Sequence, residues 1–209
     1  MKNIILSSCG IINEKFKEQF YRIINKEEIK DKKVLYITTA SDGENDSDKS
    51  WMDNEYKTIL NLGFEEKNIY EYKIGQKEIN INNFDVIYII GGNTFYLMDM
   101  IRKYNFDKVI KNAIDNGIIY IGSSAGSIIL GNSVKYALPF DENNVDVKDF
   151  TGLKVIDGII IPHANKKEEF INKVKEEIGD RVYLLYDEDG IIIWNRKWVI
   201  LKIKMEELL

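Results

Sequence analysis

The chain has 209 residues, with 29 Lys and Arg against 34 Asp and Glu for a formal charge of −5, and 44% of its residues are hydrophobic. That is enough apolar material for a proper core, far from the composition of disordered chains, and mild acidity without a basic stripe argues against a nucleic-acid partner. The lone cysteine, Cys9, excludes an internal disulfide and a paired-cysteine zinc site, and no apolar run reaches the length of a signal-peptide core or the ~18 residues needed to span a bilayer, so a soluble cytoplasmic protein without membrane association is expected.

Along the chain, short β-rich runs alternate with amphipathic segments, the pattern of βα units around a mostly parallel sheet. Asn3 to Ser7 is the first strand, and Phe16, Phe20, Ile23 and Ile24 mark the helix that follows. Cys9, in the Ser7-Ser8-Cys9-Gly10 turn, reads as a small structural hydrophobe at the edge of any site. Lys33 to Thr38 is the second strand. The polar stretch Ser41 to Ser50 lacks the ligand order of a calcium loop and reads as a solvated surface loop. Tyr56, Ile59 and Leu60 predict a helix capped at Gly63, followed by strands Asn68 to Tyr72 and Val86 to Ile90.

Gly91-Gly92-Asn93-Thr94 comes directly after that fourth strand. Two glycines there allow a close backbone approach to a ligand and leave the Gly92 amide as a donor to a developing oxyanion. Asn93 or Thr94 would equally serve as the N-cap of the next helix. Ile118 to Ile121 then runs into Gly122-Ser123-Ser124-Ala125-Gly126, a G-x-S-x-G between a strand and a helix-compatible run. That is the setting of a nucleophile elbow, in which small neighbours admit a sharp turn and the central serine is strained; a tight turn that merely packs, or binds phosphate, fits the pentapeptide as well.

The only histidine, His163, follows the strand Gly158 to Ile161. A serine nucleophile near neutral pH needs an adjacent base, and His163 is the one imidazole available. Asp187-Glu188-Asp189, at the end of the strand Val182 to Tyr186, is the natural source of an orienting acid, Asp187 first and Glu188 second. The order Ser, His, acid departs from that of α/β-hydrolases unless the acid is Asp141, Asp146, Asp149 or Asp157. Ile191 to Trp194 and Trp198 to Ile203, joined by Asn195-Arg196-Lys197, predict an antiparallel hairpin at the sheet edge.

From the first strand through Gly91-Gly92-Asn93-Thr94-Phe95, Tyr120-Ile121-Gly122-x-Ser124-Ala125-Gly126 and Pro162-His163 to the acidic turn and hairpin, the chain resembles the peptidase E family of serine dipeptidases, whose members hydrolyse dipeptides with an N-terminal aspartate. The resemblance implies a fold like that of class I glutamine amidotransferases, a mostly parallel α/β sheet with helices on both faces. It implies Ser124 as nucleophile, His163 as base, Asp187 as acid, and the amides of Gly92 and Ala125 as oxyanion hole, with no metal or organic cofactor. Asn93, Thr94, Ser123 and Lys167 are the expected substrate contacts. Where aspartyl-specific members carry an arginine pair after the histidine, this chain has Lys166-Lys167, which lack the bidentate fork.

The expectation is one domain over residues 1–209, a serine hydrolase cleaving short peptides as a monomer or homodimer. Its rivals are an amidase or esterase on the same residues, and a degenerate relative that binds a small ligand at the same sheet edge.

Overall fold

The computed structural model describes residues 2–44, 48–165, 168–178, 181–194 and 197–201. Its centre is a seven-stranded sheet built from β1 (Asn3–Ser7), β2 (Val34–Ile37), β3 (Ile69–Tyr72), β4 (Val86–Ile89), β5 (Ile119–Ser123), β8 (Gly190–Trp194) and β9 (Lys197–Leu201). The spatial order is β3-β2-β4-β5-β1-β8-β9. The first five strands pair in parallel, and β8 and β9 join antiparallel at the β1 edge, as the hairpin reading requires. Residues 195–196 of its connection, and the expected strand beyond Leu201, lie outside the described residues.

Continuous apolar runs suit these strands because alternate side chains enter opposite layers and both layers are covered. Ile4, Leu6, Leu35, Ile37, Ile87, Ile89 and Tyr120 pack on one side with α3 (Thr94–Lys103) and α4 (Phe106–Asp115). Ile5, Val34, Tyr36, Val86, Tyr88 and Ile121 pack on the other with Phe16 and Phe20 of α1 (Glu14–Ile23) and Ile59 of α2 (Ser50–Asn61).

Two sequence expectations are corrected. The strands expected over Gly158–Ile161 and Val182–Tyr186 do form, as β6 (Ile159–Ile161) and β7 (Val182–Leu184), but they pair with each other in a separate two-stranded parallel sheet. The position beside β1 that a further parallel strand would take belongs to β8. The small sheet packs Ile159, Ile161 and Leu184 against Ile171 and Val174 of α6 (Glu168–Ile178), while Ile160 joins the main core. The second correction concerns Ser41 to Ser50. A 3-10 turn over Thr39–Gly43 buries Ala40, Ser41 and Gly43, because Ser41 Oγ donates to the Thr38 carbonyl and the Asn93 amide donates to the Ala40 carbonyl, drawing the segment under α3. Among the described residues no helix is long and apolar enough to cross a membrane.

Candidate active site

β5 ends at Ser123, and the chain turns within one residue into the short helix α5 (Ala125–Ile128). Ser124 makes that turn with φ 46° and ψ −110°, a conformation costly for a residue with a Cβ and therefore one that its surroundings must impose. They do so on two sides. The Ser124 amide donates to the Ser7 carbonyl at 3.1 Å, and Ser127 Oγ donates to the Ser7 and Gly122 carbonyls at 2.8 Å, strapping the turn to β1. Gly126 lies so close to β4 that a Cβ there would fall 2.2 Å from the Ile89 carbonyl oxygen, so a side chain would push the elbow off the sheet.

His163 follows β6 by two residues and also has positive φ, 55°. Its amide donates to Ser8 Oγ at 2.8 Å, which ties the small sheet to the β1 turn and sets the ring over the elbow. Ser124 Oγ and His163 Nε2 are 3.0 Å apart, and His163 Nδ1 is 2.9 Å from Asp187 Oδ1. The second Asp187 oxygen accepts from Asn165 Nδ2 at 2.9 Å. With the Nδ1 proton directed at Asp187, Nε2 presents its lone pair to the serine hydroxyl, an arrangement able to accept that proton and to stabilise the resulting imidazolium.

The rival acids are engaged elsewhere. Asn13 Nδ2 donates to Glu188; the buried Asp189 accepts from the Tyr186 amide; Asp141 accepts from the Thr94 amide. Burial pushes the Asp141 carboxyl above its usual range, against the lowering effect of Thr94 and of nearby His163.

Ser124, His163 and Asp141 line a cleft of about 770 Å³, ordinary for a small-molecule site, while Asp187 stands behind the imidazole outside its lining. Gly92 lies in its wall, held there because its positive φ of 119° and its close approach to the Ala40 carbonyl leave no room for a Cβ. The Gly92 and Ala125 amides have no acceptor among the described residues; Gly92 lines the cleft, whereas the buried Ala125 does not. Ser123 lines the cleft, whereas Asn93 and Thr94 do not. Asn93 Oδ1 accepts from the Tyr96 amide as the N-cap of α3 and its Nδ2 donates to the Glu142 carbonyl, so this residue builds the helix start. Thr94 is fully buried. Lys167 lies outside the described residues.

Four participants are not apparent in the sequence. Ser8 fixes the His163 backbone and Asn165 holds Asp187. Cys9, expected to be structural, has its Sγ 3.6 Å from His163 Nδ1 and 3.5 Å from Asp187 Oδ1. By residue type, Cys9, His163 and Asp187 form a set that a soft metal ion could use, but an ion there would take the nitrogen that Asp187 now holds. The fourth is Glu55 of α2, only 8% exposed, whose Oε2 accepts from the Gly91 amide at 3.3 Å. Desolvation raises its carboxyl to about 7, against the opposing pull of the Ser123 hydroxyl, the Gly91 amide and the Tyr88 hydroxyl. A signal was present: Met52, Glu55, Ile59 and Leu62 fall at helical spacing, which places an acid on an apolar stripe.

The sequence profile of Peptidase family S51 matches residues 4–201. The chain belongs to peptidase family S51. Curated S51-like relatives include an uncharacterized peptidase of Listeria monocytogenes, 28% identical over 206 residues that span 94% of this chain and 97% of that protein. Peptidase E of a Shewanella species (strain ANA-3) is 36% identical over 83 residues, 40% of this chain and 34% of that one. Among solved structures, a Listeria monocytogenes protein provisionally named a peptidase E gives a TM-score of 0.81 at 24% identity, covering 98% of this chain and all of that one. A peptidase from an acI-B1 Actinobacterium gives 0.64 at 17% identity, covering 96% and 87%. These two likenesses establish the shared α/β fold. S51 membership makes this chain a peptidase of the peptidase E family.

Proposed function

We propose that this S51 peptidase is a serine hydrolase that cleaves short peptides through an acyl-enzyme on Ser124. The observation that carries the reading is the unbroken chain from Ser124 Oγ to His163 Nε2 at 3.0 Å and from His163 Nδ1 to Asp187 Oδ1 at 2.9 Å, with Ser124 and His163 lining the cleft. His163 takes the Ser124 proton as Oγ attacks the scissile carbonyl carbon. The carbonyl oxygen gains negative charge and is met by the Gly92 and Ala125 amides. The imidazolium, held by Asp187, gives the proton to the departing amine as the C–N bond breaks. Water then adds to the ester carbon, its proton passing to His163 and on to Ser124 Oγ as the acid leaves.

The side-chain preference follows a different line of support. Glu44, Glu55 and Asp141 line the cleft, and no lysine or arginine does so among the described residues. A preference for N-terminal aspartate would therefore rest on Lys166 and Lys167. The test is hydrolysis of Asp-Leu, Leu-Leu and short esters by wild type and Ser124→Ala. Loss of all turnover in the variant is expected, and full dipeptide hydrolysis by Ser124→Ala would refute the nucleophile.

A further inference from the structure

Cys9 is the nucleophilic side chain at the site that the proton transfers above leave unused. Its thiol donates to Asp187 Oδ1 at 3.5 Å and lies 3.6 Å from His163 Nδ1, so it touches the acid and the base at the ring nitrogen that Ser124 does not use. It is half-buried and lines the cleft beside His163. A thiol is a weak hydrogen-bond donor, and a serine hydroxyl would serve Asp187 better in that role. What sulfur adds, once deprotonated, is affinity for soft metal ions.

The three polar atoms are spaced much as the ligands of a tetrahedral zinc ion are. With Zn–S ~2.3 Å, Zn–N ~2.0 Å and Zn–O ~2.1 Å, tetrahedral angles put sulfur about 3.5 Å from nitrogen, sulfur about 3.6 Å from oxygen and nitrogen about 3.4 Å from oxygen. The observed separations are 3.6 Å from Cys9 Sγ to His163 Nδ1, 3.5 Å from Sγ to Asp187 Oδ1 and 2.9 Å from Nδ1 to Oδ1. Only the third must widen, by about 0.5 Å, as one hydrogen bond gives way to two metal bonds. The broad terminal torsion of Asp187 lets its carboxylate make that shift. Charge matches too, since a thiolate and a carboxylate together neutralise a divalent ion. Magnesium and calcium prefer all-oxygen ligands and are disfavoured by this set. Cys9 and His163 face the cleft, which gives the ion its entry and supplies a water as fourth ligand.

We propose that Cys9 Sγ, His163 Nδ1 and Asp187 Oδ1 form a zinc site that switches the peptidase off. The switching rests on the serine hydrolase reading; the site itself does not. On binding, the thiol proton and the Nδ1 proton pass to solvent while Nε2 takes one up, so one proton is released overall and the imidazole stays neutral. Nε2 then donates to Ser124 Oγ instead of accepting from it. The ring has no lone pair left for the serine proton, and Asp187 is committed to the metal. Ser124 is reduced to an ordinary alcohol.

The chain has one cysteine and one histidine, so spectra of tag-free wild type can be assigned without variants. Titration with cobalt(II), a spectroscopic stand-in for zinc, should give one ion per chain, with tetrahedral visible bands and a sulfur-to-cobalt charge-transfer band that added zinc abolishes. Long-range proton–nitrogen NMR spectra of His163 should place the ring proton on Nδ1 in metal-free protein and on Nε2 with zinc bound. Calorimetric zinc affinity should fall by at least ~100-fold in Cys9→Ala and in Cys9→Ser, more than the loss of an outer partner costs a metal site. At saturating zinc, wild-type dipeptide turnover should drop on the order of 10²- to 10⁴-fold, the worth of the general base, and return with EDTA. Absence of the sulfur-to-cobalt band, a zinc-bound ring with its proton still on Nδ1, or equal inhibition of wild type and both variants, each relative to its own metal-free rate, would overturn the proposal. A zinc-switched tautomer in a protein that hydrolyses no peptide would instead overturn the hydrolase reading and leave the zinc site standing.

Discussion

Replacing Glu55 by glutamine should reshape the dependence of stability on pH. In the folded protein this carboxyl titrates at about 7, against 4.5 for an unperturbed glutamate. A group whose pKa is raised by folding contributes its stability in full below the unfolded value and loses it as pH climbs through the folded value. The gap of 2.5 units between those two figures corresponds to about 3 kcal/mol at 1.36 kcal/mol per unit. The hydroxyls that face the carboxyl, Tyr36 and Tyr88, do not confuse the measurement, because burial pushes both of them up and they stay neutral throughout. Glutamine mimics the protonated form, so wild type and variant should be of similar stability near pH 4.5. At pH 8.5 the variant should be the more stable by up to about 3 kcal/mol, which for a protein of this length raises Tm by roughly 6–12 °C. Urea unfolding followed by tryptophan fluorescence at both pH values measures the difference. A gap between the two proteins that stays constant with pH would refute the reasoning, since it would mean that Glu55 is solvated or already paired with a cation.

Asp187→Asn should lower kcat by on the order of 10²- to 10⁴-fold with the fold intact, since the imidazolium then loses its partner; steady-state kinetics that match wild type would remove Asp187 from the mechanism. Gly126→Ala drives a Cβ into the Ile89 carbonyl and should cost about 1–3 kcal/mol together with most of the activity, measured by urea midpoint and dipeptide turnover. Thr94 Oγ1 is buried without a hydrogen bond of good geometry among the described residues, so Thr94→Val should leave stability unchanged or raise it by about 1 kcal/mol, and a large loss would mean that the neighbouring Asp141 carboxyl, whose pKa Thr94 lowers, relies on that hydroxyl.

How far the sequence alone leads depends on how local each feature is. The elbow is legible because its cause is local: a strand that must turn within one residue needs glycines two positions on either side of the serine, and the contact of Gly126 with Ile89 shows why. His163 follows from elimination, as the only imidazole. Asp187 follows from its position just past β7, and its 2.9 Å contact with His163 agrees with that placement. The separate β6–β7 sheet was hidden because β6 and the main strands share the same apolar composition, and only the competition with β8 for the β1 edge decides where β6 pairs. Ser8, Cys9 and Asn165 were hidden for a related reason. Their partners His163 and Asp187 are brought to them by that small sheet, over separations of up to 178 residues in the chain. The burial of Thr39–Gly43 depends on α3 lying above it, so a composition rule for polar loops misjudges the segment.

The central claim is that Ser124 is activated by His163, and it is tested most directly by fluorophosphonate treatment of the intact protein, with the adduct located by peptide mass spectrometry. Stoichiometric modification of Ser124, abolished in Ser124→Ala and strongly slowed in His163→Ala, is the expected result. An unmodified Ser124 in a folded protein that hydrolyses dipeptides, or labelling that proceeds at the same rate without His163, would contradict it.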